Sequence, residues 1–368
     1  SLLWGQWLAA GKPMNRQFPL GVMANLVVLL LLGTAVYTVW NLSAPAQTVV
    51  FLLHPLIGTL LLRSRHSKQT RLEIHELNWR HFTFKPQAWA LFIAYAVCWL
   101  ITISLVIAGA TTHAIASPWQ TVMPGFWAAL SVSTVLFLLI AWTIDTRSAA
   151  PFFVGSYLFL LLSVALIVYT AGYGFDSFIH QAAEHLIDAK GFVSPKTPYY
   201  LGQYSLVVSL HRLLGIDLVL LDRLLVPALT AFSLPFIALE VLRRDASAQG
   251  AALRQGAWLA LAVFLMPFAS FIVTTPQGLA NLFFLWVVLG TFPLILNSPT
   301  PWNMPMLWLV AIASLAVHPI SGIPAVILMT LASLELLRDK LDFSRFVINS
   351  LYAEIIIIGS LTLPICFL

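Results

Sequence analysis

The chain has 368 residues, of which 60% are hydrophobic and only 9% are charged, and its formal net charge is +5. A soluble domain carries roughly 25% charged residues, because its surface must be solvated by water, so this composition excludes a soluble globular protein. The excess of basic residues does not indicate nucleic-acid binding, since these residues lie between apolar runs, as they do in membrane proteins.

Apolar runs long enough to cross a bilayer recur along the whole chain. Because a spanning helix needs about 20 apolar residues, we predict an all-α, polytopic integral membrane protein with about 11 transmembrane helices. The short pair 306–320 and 321–337 has a second interpretation as one re-entrant hairpin folded at 318–322. The predicted spans are residues 20–40, 47–62, 88–110, 121–143, 151–171, 216–242, 255–275, 278–297, 306–320, 321–337 and 347–368.

The distribution of Lys and Arg predicts the orientation of these spans. With the N-terminus in the cytoplasm, fifteen of the 19 basic residues fall in cytoplasmic segments, as the positive-inside rule requires. We therefore expect a multi-pass protein of the plasma or inner membrane with one long extracytoplasmic loop, residues 172–215. Because the chain starts at Ser1 and its last apolar run stops at Leu368, we expect a fragment with a truncated C-terminus.

The loop 172–215 has its own helical pattern. Apolar residues recur on one side of the segment from Ser177 to Lys190, which predicts an amphipathic interfacial helix capped by Asp176 and ended by Gly191. A second helix is predicted from Leu201 to Leu214. The polar side of the first helix carries Asp176, His180, Glu184 and Asp188 at intervals of four residues.

The polar stripe allows three interpretations. In the first, the stripe is a solvated helix face. In the second, it holds a catalytic carboxylate at the mouth of a membrane cavity. In the third, His180 and Glu184 share a divalent metal ion. Two ligands without a thiolate or a third histidine are an incomplete set for a metal such as zinc. We therefore predict no metal and no other cofactor, and a divalent ion stays open as the alternative.

Residues 174–180, with the sequence Gly-Phe-Asp-Ser-Phe-Ile-His, resemble the motif of the GT-C superfamily of membrane glycosyltransferases. These enzymes take a sugar from a polyprenyl-phosphate donor on the outer face of the membrane. They carry an Asp just after a span, followed by a short interfacial helix and often by a His or Glu. The resemblance covers residues 151–345. It implies a GT-C-like module at 151–368, preceded by a membrane module of about four helices at 1–150.

The resemblance also implies roles for particular residues. Asp176 would be the base that accepts the proton of the acceptor, with His180 and Glu184 as further catalytic candidates. A cation should stabilise the lipid phosphate that leaves, and Arg223, a charge within a predicted span, is one candidate. The predicted substrate-binding residues are Lys196, Tyr199, Tyr200, Arg223 and His318.

The expected partners are the lipid bilayer and a polyprenyl-phosphate-linked sugar, with membrane-protein partners left open and no nucleic acid. The alternative function is a non-catalytic membrane subunit or a transporter, in which the loop 172–215 is a docking surface or a gate. Haem bound by His54 is a weaker alternative, since the first four spans offer no second histidine at comparable depth. No Walker loop or Gly-x-Ser-x-Gly turn is present, which argues against ATP-driven transport within this chain and serine-type hydrolysis.

Overall fold

The structure, a computed structural model, describes residues 1–9, 14–65, 86–143, 150–195, 199–242, 251–262, 270–295 and 303–341. Within these ranges the protein is helical, apart from one isolated β-bridge between Thr111 and Tyr169 and a short 3-10 turn at Pro118–Gln120. The described α-helices are α1 (Leu2–Ala9), α2 (Met14–Val39), α3 (Ala44–Arg65), α4 (Pro86–Ala108), α5 (Gly125–Thr143), α6 (Ala150–Val168), α7 (Phe175–Lys190), α8 (Leu201–Leu214), α9 (Leu218–Leu242), α10 (Ala251–Ala262), α11 (Pro276–Ile295), α12 (Met304–Val317) and α13 (Pro319–Leu341).

Seven helices in the described ranges are long and apolar enough to cross a membrane, namely α2, α3, α4, α5, α6, α9 and α13. Helices α11 and α12 are also apolar but are shorter over the residues searched. These features confirm the prediction of an all-helical, multi-pass membrane protein. The predicted span 347–368 and residues 263–269 of the span 255–275 lie outside the described residues, so the count of 11 stays a prediction.

The outer faces of several long helices are apolar. Leu52 of α3 is 67% exposed, and Ile93 and Leu100 of α4 are 60% and 57% exposed. In a soluble protein such side chains would form an aggregation-prone patch, whereas in a bilayer they contact lipid at no cost. The exposed surface of the helices thus supports the same class of protein as their length does.

The chain divides into two compact units that interleave along the sequence. The first unit comprises Ser1–Ile74, His180–Leu221 and Thr275–Leu368, and the second comprises His75–Ile179 and Asp222–Thr274. Helix α7 therefore begins in the second unit and continues in the first. The predicted module boundary at residue 150 stays a prediction.

In the first unit, α1 packs closely against α2, and α8 packs against α2 and α12. The contact between α1 and α2 needs glycine, because a Cβ atom on Gly5 would lie 2.1 Å from the carbonyl oxygen of Gln17. Helix α1 is missing from the predicted spans, since eight residues are too few to cross a bilayer. Its buried Trp4 and Trp7 anchor it beside the long helices.

Helices α12 and α13 also belong to the first unit, and His318 alone separates them. The sequence predicts a boundary between two spans close to this point, and Pro319 is the first residue of α13, where its missing N–H leaves no helical hydrogen bond unmade. The two helices then pack together so closely that a Cβ atom on Gly322 would lie 2.1 Å from the Cα atom of Leu315.

In the second unit, α4, α5, α6 and α10 pack together. The ring of Phe137 in α5 stacks on the ring of Tyr157 in α6 at 4.7 Å between centroids. The hydroxyl of Tyr157 also hydrogen-bonds the hydroxyl of Thr134 at 2.8 Å. Polar bonds of this kind hold apolar helices in register where lipid provides no hydrophobic driving force.

Candidate functional site

Helix α7 buries its polar side and exposes its apolar side. His180, Gln181 and Glu184 are buried, with Glu184 fully so, and Ser177 and Ile187 continue the same face at helical spacing. The predicted apolar side is largely turned outwards, with Phe178, Ile179 and Leu186 at 46%, 52% and 42% exposure. The solvated-face interpretation is therefore wrong for His180 and Glu184, because both lie in the protein interior.

Asp176 differs from the other acidic residues of this helix because it is exposed. The helix begins at Phe175, directly after Gly174 at φ +78°, so Asp176 lies in the first turn rather than at the predicted capping position. A side chain at Gly174 would be strained at this φ value, which L-residues rarely adopt. The Ser177 hydroxyl donates to the carbonyl oxygen of Tyr173 at 2.9 Å and ties the first turn to the preceding residues.

The buried face of α7 meets a cluster of aromatic and imidazole rings in the first unit, which we call the His180 cluster. Its members are His180, Tyr200, Tyr204 and His318. The Nδ1 atom of His180 lies 2.8 Å from the Tyr204 hydroxyl, within hydrogen-bond distance. The fold thus brings together three predicted site residues and one, Tyr204, that the sequence did not single out.

His318 enters this cluster from the break between α12 and α13. Its ring centroid lies 5.4 Å from that of Tyr200. The Nδ1 atom of His318 accepts from the backbone N–H of Ile320 at 3.3 Å, so Nε2 is the ring nitrogen that carries a proton.

Glu184 lies one turn beyond His180 on the same buried face. Its Oε1 atom accepts a hydrogen bond of 3.1 Å from the side-chain amide of Gln203, which is itself fully buried. A buried carboxylate must be hydrogen-bonded or paired, so this contact ties α7 to α8. Glu184 therefore has a structural partner within the first unit.

Tyr199 and Tyr200 precede α8 and have different surroundings. Tyr199 is exposed, whereas Tyr200 is partly buried and adopts φ 70°, a left-handed conformation that is uncommon for a residue other than glycine. The backbone N–H of Tyr200 donates to the carbonyl oxygen of Val317 at 3.2 Å, which holds the chain against the end of α12. Lys196, the third predicted binding residue of this segment, lies outside the described residues.

Arg212 is a residue of this region that the sequence reasoning did not assign to a site. Its Nε atom donates to the carboxylate of Asp188 at 2.7 Å, and its terminal nitrogens reach the carbonyl oxygens of Asp188 and Leu42 and the side-chain oxygen of Gln47. Asp188 belongs to the polar stripe of α7, so the stripe could have predicted that a basic residue binds this helix. The partner itself lies 24 residues away along the chain, and no local pattern points to it.

Arg223 lies in the second unit, within α9, and its guanidinium group binds the end of α6. It donates to the carbonyl oxygens of Thr170 at 3.0 Å and Tyr169 at 2.9 Å, and also to that of Leu166. The last carbonyl groups of a helix have no partners within the helix and carry its partial negative charge, so a cation stabilises them. These bonds give Arg223 a structural task, and its predicted role in binding the donor phosphate stays a prediction.

A cavity of about 310 Å³ in the second unit lies beside the chain segment that leads into α7. One wall is the segment 111–116, which follows α4, and the other is formed by Tyr169 and residues 171–174. The bridge between Thr111 and Tyr169 joins the two walls. Asp176 follows the last cavity residue, Gly174, by two positions.

No group of three or more His, Cys, Asp or Glu side chains in the described ranges is placed to hold a metal ion. His180 and Glu184, which were considered as a metal-binding pair, contact Tyr204 and Gln203 respectively. The expectation that the protein uses no metal and no other cofactor stays a prediction.

Comparison with known proteins finds no matching family model, no matching curated protein and no matching solved structure. The function is therefore inferred from the residues and contacts of this protein alone. Two places in the molecule are relevant to it, namely the exposed Asp176 with the adjacent cavity and the buried His180 cluster.

Proposed function

We propose that this protein is a glycosyltransferase that moves a sugar from a polyprenyl-phosphate donor to an acceptor on the extracytoplasmic face of the membrane, with Asp176 as the base. One observation carries the proposal. Asp176 is an exposed carboxylate in the first turn of α7, two residues after the cavity-lining Gly174. Glu184 and Asp188, the other carboxylates of this helix, are engaged with Gln203 and Arg212.

The proposed reaction needs a carboxylate that can reach a proton on the acceptor. As an acceptor oxygen attacks the anomeric carbon of the donor, Asp176 accepts the proton of that oxygen and the bond to the lipid phosphate breaks. A positioned general base contributes typically 10²–10⁴-fold to the rate of such a step. Asp176 is exposed and follows the cavity-lining Gly174 by two residues, which supports this role, whereas the other carboxylates of α7 are bonded within the protein.

The His180 cluster has a supporting role in this proposal. Within the first unit, the part of α7 from His180 onward packs against α8 and, through Tyr200, against His318. His180, Glu184, Tyr200 and His318 would then act through the position of α7. Direct contact of these residues with substrate, and of Tyr199 and Lys196 with the donor, stays a prediction.

The test replaces Asp176 by Asn, which keeps the size of the side chain and removes the base. Membranes that contain the protein are supplied with radiolabelled polyprenyl-phosphate hexoses and pentoses, and transfer of label to acceptors is measured. We expect a loss of about 100-fold or more in the rate of transfer by Asp176→Asn.

Asp217→Asn is the matched control. Asp217 is also an exposed carboxylate, and its Oδ2 atom accepts from the backbone N–H of Leu220 at 3.0 Å, a capping bond that Asn can also make. We expect this variant to keep its transfer rate. Near-normal transfer by Asp176→Asn, or no transfer from any of these donors by the unaltered protein, would instead favour the non-catalytic subunit or transporter.

A further inference from the structure

The cavity of the second unit has walls that are held in place by backbone bonds. The N–H of Thr111 donates to the carbonyl oxygen of Val168 at 2.9 Å, and the N–H and hydroxyl of Thr170 both donate to the carbonyl oxygen of Thr111. On the opposite side of the same peptide segment, Arg223 binds the carbonyl oxygens of Tyr169 and Thr170. A pocket whose walls are fixed before a ligand arrives loses little conformational entropy on binding.

An apolar cluster supports the end of the bundle from which these walls extend. Val106 and Val168 are fully buried there and pack with Phe126, while Ile115 from the cavity wall packs against the same cluster. The wall segment 111–116 is therefore anchored through one side chain, while Thr112 and His113 are exposed.

The lining of the cavity combines aromatic rings and hydroxyl groups with small and apolar residues. Among the described residues that line it, none is Lys, Arg, Asp or Glu. The rings of Tyr169 and Tyr173 lie 4.9 Å apart with an interplanar angle of 43°, and Tyr173 is exposed. Thr112 and His113 add side-chain donors and acceptors beside these rings.

We propose that this cavity binds one neutral sugar unit, stacked on the Tyr173 ring and hydrogen-bonded by the wall 111–116. A sugar ring presents C–H groups on its faces and hydroxyl groups around its edge, and this lining offers an aromatic surface and polar groups for both. Among the described lining residues there is no Arg or Lys side chain to pair with a phosphate ligand. The volume of 310 Å³ is at the lower end of the range for ligand pockets, which suits a single ring.

That the bound sugar belongs to the acceptor of the transfer reaction rests on the proposed function. No Arg or Lys among the described lining residues pairs with the phosphate of the donor, so we assign the bound sugar to the acceptor. Asp176 follows the cavity by two residues, and a hydroxyl of this sugar would then be near the base. The binding of a neutral sugar is a separate statement, which needs no catalysis.

The experiment measures saccharide binding directly, by saturation-transfer NMR on the full chain in lipid nanodiscs. The probes are the methyl glycosides of glucose, mannose, galactose and arabinose, with inorganic phosphate as the anionic comparison in a competition measurement. We expect saturation transfer from at least one methyl glycoside and no displacement by phosphate. Tyr173→Ala should weaken binding about fivefold or more, whereas Tyr173→Phe, which keeps the ring, should bind as the unaltered protein does.

Trp258→Ala is the control for loss of an exposed aromatic side chain elsewhere in the same unit, since Trp258 is 68% exposed and does not line the cavity. Saturation transfer from none of the glycosides, or equal binding by Tyr173→Ala, would overturn the cavity assignment. Binding that persists in a protein without transferase activity would leave the cavity assignment standing and remove the proposed function. Transfer that depends on Asp176 but not on Tyr173 would leave the proposed function standing and contradict the assignment of the bound sugar to the acceptor.

Discussion

Arg212 joins parts of the first unit that are distant in sequence. It binds Asp188 near the end of α7, Leu42 in the connection between α2 and α3, and Gln47 in α3. Gln47 in turn donates to the hydroxyl of Ser209, one turn before Arg212 on α8. One guanidinium group thus fixes the far end of α7 within the first unit.

Replacement of Arg212 by Met should destabilise the protein by about 2–4 kcal/mol, because a charge pair and three further acceptors lose their donor. The Asp188 side chain is 31% exposed, so water hydrates its carboxylate and offsets part of the lost stability. The measurement is the denaturant dependence of unfolding in detergent. Arg254→Met is the control, since exposed Arg254 stacks on the Trp142 ring at 4.7 Å and its loss should cost about 1 kcal/mol or less. Equal stability losses in the two variants would contradict the assigned role of Arg212.

At the scale of elements, α7 exposes most of its apolar side and buries most of its polar side, the arrangement expected of a helix in contact with lipid. Its apolar residues were expected to mark a face held at the membrane surface, and its exposed Phe178 and Ile179 are compatible with that. Its polar residues are the ones that pack against protein, through His180 and Glu184. Lipid can solvate exposed apolar side chains, whereas polar side chains that lie away from water need hydrogen-bond partners within the protein.

The close contact between α12 and α13 leads to a testable prediction at the scale of elements. Gly322→Ala places a methyl group where backbone atoms of Leu315 lie within 2.8 Å, so the two helices must separate. We expect a loss of stability of about 1–3 kcal/mol, seen as a lower midpoint of thermal unfolding in detergent. Gly125→Ala in α5 is the matched control, because its nearest atom lies at 3.8 Å, an ordinary contact. If both variants unfold at the temperature of the unaltered protein, the close packing of α12 on α13 is wrong.

At the scale of the whole molecule, the orientation in the membrane stays a prediction from the positions of Lys and Arg. It is tested by single cysteines in a chain whose Cys98 and Cys366 are replaced by Ala. Lys190→Cys, at an exposed position in the loop 172–215, should react with a membrane-impermeant maleimide in intact cells. Arg63→Cys, also exposed, should react only after permeabilisation. The opposite pattern would place Asp176 in the cytoplasm and contradict transfer on the outer face.

The sequence alone determined the class of protein and the position of most helices, because both depend on local composition. Long apolar runs give spanning helices, and the helix after Gly174 and the break before Pro319 follow from residues next to them in the chain. The candidate base was named from the resemblance of residues 174–180 to the GT-C motif, and its role stays a prediction.

The tertiary structure decided which face of α7 is buried and which residues the charged groups bind. Periodicity identified two faces of that helix, but it could not tell which one meets protein, because lipid reverses the usual preference. Arg223 binds carbonyl groups more than 50 residues away, and the cavity joins segments separated by a similar distance. Contacts over such distances depend on how the helices pack, which no pattern of neighbouring residues contains.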